Sequence, residues 1–317
     1  MGLMDTLAYV LAGVWLMAWL SYAIPQLYLK FMKPQNLKEK YNAEWALVTG
    51  GSTGIGRAIV EKLAAQDLNI VVVAFPDAHL DKAIEELTAK FPKCKFIKVG
   101  LNLADRNFME TLAKETKDIK VSILINNAGY IKTGFFAESD FKGQLANHDV
   151  NATAAMEITH HYVEIMRENK LRGCVTFTSS PAGFMATPYT VLYGATKAYL
   201  TTFAQSLAPE IYSDGIDVAV LHPSPVASNF YDSAHKIDAI AFFKSTATGP
   251  EVLADILLAS VGRVVTIDQG YYPVCVKLLL KIIDGNFIAD AARLTASYLP
   301  DFKKMKADIA AAKAKAK

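Results

Sequence analysis

"WALVTGGSTGIGRA", residues 45–58, decides the fold. Its first six residues read as a short, mostly apolar strand, and the remainder leads into a helix. Gly50, Gly54 and Gly56 let the chain turn tightly and bring bare backbone up to a ligand. The N-terminus of the helix that follows is then a ready site for a pyrophosphate. Elsewhere in a chain three glycines would be a plain turn. Between a first strand and a first helix they announce a nucleotide-binding α/β unit.

Working outward, the same alternation continues. Strand candidates are "WALVTG", "NIVVVA", "KFIKV", "SILINN", "CVTFTS", "DVAVLH" and "VVTI". Amphipathic stretches such as "DAHLDKAIEELTAKF" and "DRNFMETLAKET" separate them. Near-continuous apolar strands divided by helices predict a parallel sheet covered on both faces, a doubly wound, Rossmann-like α/β fold of about seven strands. The 317 residues suffice for one large domain with a sizeable core. A net charge of +2 gives no reason to expect nucleic acid as a partner. Three widely spaced cysteines, Cys94, Cys174 and Cys275, offer neither a disulfide framework nor a metal spacing and suit a reducing compartment.

Ahead of the domain, residues 7–29, "LAYVLAGVWLMAWLSYAIPQLYL", are uncharged and long enough to cross a bilayer. No basic segment precedes them, which disfavours a cleaved signal peptide and favours a retained anchor. Lys30, Lys33, Lys38 and Lys40 follow, so the positive-inside rule places the rest of the chain in the cytosol and residues 1–6 in the lumen. Residues 30–44 read as a basic linker, residues 45–300 as the catalytic domain and residues 301–317 as a Lys/Ala-rich tail. "MGLMDT" fits the loose myristoylation pattern, but a lumenal N-terminus would not meet the cytosolic transferase.

Farther along, "YGATK" places Tyr193 and Lys197 four residues apart, on one face if helical. The pair alone decides nothing, since a solvated lysine beside a tyrosine would look the same. Other residues join it in order: Asn126, Asn127, Ala128 and Gly129 after the fourth strand, Asn151 in "HDVNATAAM", and Ser180 with Gly183 in "SSPAG", the serine 13 residues before the tyrosine. Together with the T-G-x-x-x-G-x-G loop, this series over residues 45 to about 230 resembles the short-chain dehydrogenase/reductase family.

The resemblance implies hydride transfer between a nicotinamide cofactor and a carbonyl or alcohol. Tyr193 is then the general acid, Lys197 lowers the phenol's pKa and binds the nicotinamide ribose, Ser180 hydrogen-bonds the substrate oxygen, and Asn151 holds a water that relays protons. It further assigns to the cofactor Gly50, Ser52, Thr53, Gly54, Ile55, Gly56, Asn102, Asn127, Ala128, Gly129, Pro223 and Val226, besides Tyr193 and Lys197. Phe75 and Pro76 stand where NADP-dependent relatives show an arginine, with Asp77 just beyond. Thr53 stands where many show a basic residue, and Asn102 replaces the usual aspartate. These departures weigh against NADP(H) without establishing NAD(H). NADP(H) stays favoured, with NAD(H) the alternative, on the strength of the family branch that the chain resembles. "NAT" at Asn151 is a glycosylation sequon that a cytosolic, buried asparagine would not use.

The anchor, the basic linker and "YNAEWALVTGGSTGIGRA" look like the membrane-bound 17β-hydroxysteroid dehydrogenase and very-long-chain 3-oxoacyl-CoA reductase group. That implies an endoplasmic-reticulum membrane location and a lipid-like substrate, a long-chain 3-oxoacyl-CoA or a 17-oxosteroid. Lys313 and Lys315 resemble a dilysine retrieval signal. The segment "PVASNFYDSAHKIDAIAFF" is expected to form a substrate lid, with Ile237, Ile240, Phe242 and Phe243 apolar. "VCVKLLLKIIDGNFI" is open to three readings: membrane surface, core packing or a homodimer contact. Another apolar substrate such as a retinoid, or a non-catalytic cofactor-binding sensor or scaffold, remains the alternative function.

Overall fold

The structure is a computed structural model that describes residues 2–231 and 238–315, without the side chains of residues 239, 240, 312, 313 and 315. Seven parallel strands form one sheet in the order β3-β2-β1-β4-β5-β6-β7. They are β1 (Trp45–Thr49), β2 (Asn69–Ala74), β3 (Phe96–Gly100), β4 (Val121–Asn126), β5 (Gly173–Thr178), β6 (Ile216–Pro223) and β7 (Thr266–Gln269). All five residues of β1 are buried, as are all six of β4. Both faces of the sheet are covered, which is why these strands read as unbroken apolar runs.

Alternate residues divide between two cores. Ala46, Val48, Ile70 and Val72 face Ile59 and Leu63 of α3 (Gly54–Ala64) and Leu253 and Leu257 of α10 (Pro250–Ser260). Leu47, Val71 and Leu124 face the other side, against Leu112 of α5 (Phe108–Thr116), Ile158 of α7 (Ala154–Glu168) and Leu200 of α8 (Val191–Ile211). The strand order reverses between β1 and β4, and ligands of such sheets sit in the crevice beyond the strand ends at that switch. The seventh strand lies two residues later than its apolar pattern suggested. It runs into Asp268 and Gln269, both buried and polar, because their side chains find hydrogen-bonding partners inside.

α1 (Leu3–Lys30) has a mean hydropathy of 1.8 over its most apolar window, is long and apolar enough to cross a membrane, and has none of that window buried. Its last turns meet the domain, with Leu29 against the core. Residues 30–44 do more than link. Gln35 Nε2 donates to the carbonyls of Leu258 and Val261, both at 3.0 Å, closing the end of α10. In α2 (Leu37–Tyr41) Leu37 is fully enclosed, and Tyr41 Oη donates to Asp217 Oδ2 at 2.6 Å. The linker reading followed the lysines and passed over two apolar residues at i and i+4.

The remaining helices are α4 (Ala78–Lys90), α6 (Phe141–His148), α9 (Asp238–Ser245), α11 (Tyr271–Leu279), α12 (Gly285–Thr295) and α13 (Pro300–Lys315). The Lys/Ala-rich tail is therefore helical as far as Lys315. Its Met305 is buried against Phe135, Tyr189, Tyr231 and Phe243. Of the expected lid residues, Phe243 packs in that cluster and Phe242 is exposed. Ile237 lies outside the described residues, as does the side chain of Ile240. In the "VCVKLLLKIIDGNFI" stretch Val276 is buried, whereas Leu279, Ile282 and Phe287 are exposed.

Candidate active site

A cleft of about 620 Å³ opens at the β1/β4 switch. Its floor is the glycine loop. Gly50 has φ +65° and Gly54 φ +54°, conformations a Cβ would strain. Gly56 acts differently: a Cβ there would lie 2.1 Å from the Gly50 carbonyl oxygen, so the first turn of α3 can pack on the loop only without one. Gly50, Ser52, Thr53, Gly54 and Ile55 line the cleft, together with Asn102, Asn127, Ala128, Gly129, Tyr193, Lys197, Pro223 and Val226. Gly56 and Asn151 shape it from behind without lining it.

The loop after β4 is braced by Thr49 and Thr178, which the sequence reading left unassigned. Thr49 Oγ1 accepts from the main-chain N–H groups of Asn127 and Ala128, both at 3.0 Å. Asn127 Nδ2 donates to the Thr49 carbonyl at 3.2 Å, and its Oδ1 accepts from Thr178 Oγ1 at 3.0 Å. The side chains of Thr49, Asn127 and Thr178 thus join the ends of β1, β4 and β5. The T in T-G-x-x-x-G-x-G was the available signal. Asn102 is engaged in its own turn, accepting from Ala104 N–H at 3.2 Å and donating to Asp105 Oδ1 at 2.9 Å.

Asn151 sits in a π-helical turn, Asp149–Thr153, between α6 and α7. Such turns are frequent at functional sites because they push one side chain off the regular helical spacing. Here it is fully buried, accepting from Tyr130 N–H at 2.9 Å and donating to the Tyr130 carbonyl at 3.0 Å. Ser180 lies two residues beyond β5 and accepts from Ala182 N–H at 3.2 Å, capping the Pro181–Gly183 turn. Its hydroxyl also hydrogen-bonds the Tyr193 phenol. Tyr193 and Lys197, one turn apart on α8, both point inward and are buried. Lys197 Nζ donates to the Thr178 carbonyl at 2.8 Å and stands 5.6 Å from the centre of the Tyr193 ring.

Electrostatics at this pair differ from the expectation. Burial pushes the Tyr193 phenol up to about 12, against a smaller downward pull from the Ser180 hydrogen bond. Burial also brings the Lys197 ammonium down to about 8. Loss of hydration is the dominant cause of both shifts. Tyr193 therefore holds its proton at neutral pH, and Lys197 stays largely charged. A proton donor and a nearby cation are in place for an oxygen that gains negative charge.

At the adenosine end, Asp77 caps α4, and its Oδ1 accepts from the N–H groups of His79 and Leu80 at 2.9 and 3.1 Å. Phe75 and His79 also line the cleft; His79 went unremarked in the sequence. At the other end Tyr193 approaches Phe230 (ring centres 5.8 Å), Phe230 meets Tyr231 (5.2 Å), and Tyr231 reaches Phe243 (6.5 Å). Among the described residues no group of three or more His, Cys, Asp or Glu side chains could hold a metal ion.

A nucleotide cradle, a buried proton donor and a paired cation on this sheet define a nicotinamide-dependent oxidoreductase. Residues 44–237 match the short-chain dehydrogenase family model, and the chain belongs to that family. It is 29% identical over 269 residues to a very-long-chain 3-oxoacyl-CoA reductase of Meyerozyma guilliermondii, covering 80% of this chain and 76% of that one. It is 30% identical over 235 residues to a very-long-chain 3-oxoacyl-CoA reductase-like protein of Arabidopsis thaliana, covering 73% of each. In fold it is similar to a structure of a 7beta-hydroxysteroid dehydrogenase (TM-score 0.70, 24% identity, 78% of this chain and 95% of that one). A short-chain dehydrogenase from Sphingobium yanoikuyae in complex with NADPH is also similar (TM-score 0.65, 22% identity, 80% and 95%).

Proposed function

We propose that this protein is a membrane-anchored reductase of long-chain 3-oxoacyl thioesters, with NADP(H) as the favoured cofactor, working at the endoplasmic-reticulum membrane with its domain in the cytosol. The observation that carries the reading is the run of aromatic side chains leading from Tyr193 through Phe230 and Tyr231 to Phe243 and the buried Met305. Phe230 and Tyr231 line the cleft, so its wall beyond the proton donor offers an apolar chain aromatic surface. The names of the relatives favour an acyl thioester over a steroid.

When bound, the nicotinamide supplies the hydride. The residues of the glycine loop and of the loop after β4 hold the cofactor, and Lys197 orients it. Ser180 and Tyr193 donate hydrogen bonds to the substrate oxygen, where negative charge develops, and Tyr193 gives up its proton there. Asp77 spends one carboxylate oxygen capping its own helix and lines the cleft; the preference for NADP(H) rests on the branch the chain resembles.

The test is a series of 3-oxoacyl-CoA substrates of increasing length, kept below their micelle-forming concentrations, with a 17-oxosteroid alongside. Burying a methylene contributes about 0.8 kcal/mol, so kcat/KM should rise several-fold per CH₂ until the cleft is filled. A flat series would refute the lipid-chain reading while leaving the hydride chemistry standing.

A further inference from the structure

Directly behind the catalytic side chains runs a buried polar chain that the reaction does not use. His222, near the end of β6, is 0% exposed. Its Nδ1 lies 2.7 Å from Asp268 Oδ1 on β7, and its Nε2 lies 2.9 Å from Thr201 Oγ1 on α8. Thr201 Oγ1 is in turn 2.9 Å from Ser179 Oγ and 2.9 Å from the main-chain carbonyl oxygen of Lys197. Ser179 Oγ reaches that same carbonyl at 2.7 Å. The chain therefore crosses four elements: β7, β6, α8 and the end of β5.

Proton counting fixes its direction. Burial, opposed by the Asp268 carboxylate, lowers the His222 pKa below its ordinary value, so the ring is neutral near pH 7. Nδ1–H then donates to Asp268, and Nε2 is left as an acceptor. Thr201 spends its single hydroxyl proton on Nε2, and Ser179 shares its own between Thr201 Oγ1 and the Lys197 carbonyl. Protonating Nε2 would reverse this order: the ring would donate to Thr201, and Thr201 would turn its proton toward the carbonyl.

The two ends of this arrangement are the points from which the reacting groups arise. Ser179 immediately precedes Ser180, and the carbonyl it grips belongs to Lys197, one turn beyond Tyr193 on α8. Lys197 Nζ on the Thr178 carbonyl ties the same strand end to α8, and Gly183, three residues after Ser180, packs against the backbone of Ala198. A buried carboxylate–imidazole pair is costly to enclose, and packing alone would be served by apolar residues.

We propose that Asp268, His222 and Thr201 form a positioning unit that holds Ser179, and with it Ser180, in register with Tyr193 and Lys197. This rests on the catalytic assignment of those residues. A misplacement of about 1 Å between reacting groups can lower a rate by about two orders of magnitude, so loss of the tie should appear in kcat.

The experiment is steady-state kinetics on the full-length enzyme with saturating nicotinamide and a long-chain 3-oxoacyl-CoA. Variants are Thr201→Val, which keeps the shape and removes the hydroxyl, Thr201→Ser, which restores it, and Ser179→Ala. Thr201→Val and Ser179→Ala should each lose about tenfold in kcat with little change in cofactor KM, and Thr201→Ser should recover most of it. The wild-type kcat should also carry an acid limb below the ordinary imidazole range, which Thr201→Val lacks because no hydroxyl remains to reverse. The charged or titratable groups facing His222 are Asp268 from β7, Lys277 from α11 and Lys197 from α8, and Phe184 stacks edge-on at 4.6 Å. Tyr193→Phe, run in parallel, separates the two readings. If it is inactive while Thr201→Val and Ser179→Ala keep wild-type kcat, the positioning unit is refuted. If Tyr193→Phe itself turns over normally, the catalytic assignment falls and the positioning proposal falls with it. Should Thr201→Val fail to fold, Ser179→Ala decides alone, since it leaves Thr201, His222 and Asp268 untouched.

Discussion

Tyr193 and Lys197 are each shifted toward the neutral form by the same cause, and that has consequences at the scale of the single residue. Tyr193→Phe removes only the hydroxyl that Ser180 orients. It should lower kcat by about two orders of magnitude or more while the protein stays folded and cofactor affinity is largely kept; more than about a tenth of wild-type kcat would refute the general-acid role. Lys197 sits at about 8 in the folded state against 10.5 free. The unfolded chain binds the extra proton between those values, so the charged form costs the fold roughly 3 kcal/mol below pH 8. That cost disappears as pH rises toward 10.5. Tyr193 works in the opposite sense higher up, since its pKa of about 12 exceeds 10.0, and stability from it is lost as pH rises from 10 through 12. Urea melts of Lys197→Met should accordingly show a gain over wild type at pH 7 that shrinks by pH 10. If the cation is needed for turnover, wild-type kcat/KM for reduction should fall as pH passes about 8, and a flat profile to pH 9.5 would argue that the neutral amine suffices.

At the scale of elements, the loop between β1 and α3 has no room to give. Gly56→Ala sets a methyl against the Gly50 carbonyl, so the loop must open or the helix must shift. Nicotinamide titrations followed by fluorescence should show affinity reduced at least tenfold, with a smaller change in kcat at saturation. α2 is the second element with a sharp expectation. Leu37 is fully enclosed, and Leu37→Ala should cost about 2–5 kcal/mol in denaturant unfolding, as for other core truncations. A loss below about 1 kcal/mol would mean that residues 30–44 are only a tether after all. α13 belongs in the same group: with Met305 buried beside Phe135 and Tyr231, a chain ending before Pro300 should lose activity on long acyl chains more than on short ones.

The molecule as a whole is a two-faced α/β domain carried on an exposed apolar helix. If α1 spans the endoplasmic-reticulum membrane in the proposed sense, protease added outside sealed microsomes should digest the domain without detergent. Protection, or a glycan at the buried Asn151, would overturn that topology. Much of this organisation was legible in the chain, because it rests on local and periodic signals. The glycine loop, the unbroken apolar strands and the 13- and 4-residue spacings among Ser180, Tyr193 and Lys197 each carry their meaning within one strand–turn–helix unit. What stayed hidden depends on which distant segments meet. Leu37 and Met305 looked like parts of a linker and a tail, because charge and alanine dominate their surroundings and one or two apolar residues give no period. His222 and Asp268 lie 46 residues apart in sequence and are unremarkable as isolated residues. Only the neighbouring positions of β6 and β7 bring them together. Nor could the spacing of Tyr193 and Lys197 reveal their protonation. The sequence alone determined the fold and the candidate residues that gather at its cleft. The tertiary structure decided how deeply Tyr193 and Lys197 are buried, and since burial dominates both shifts, it also decided the pH range over which each keeps its proton.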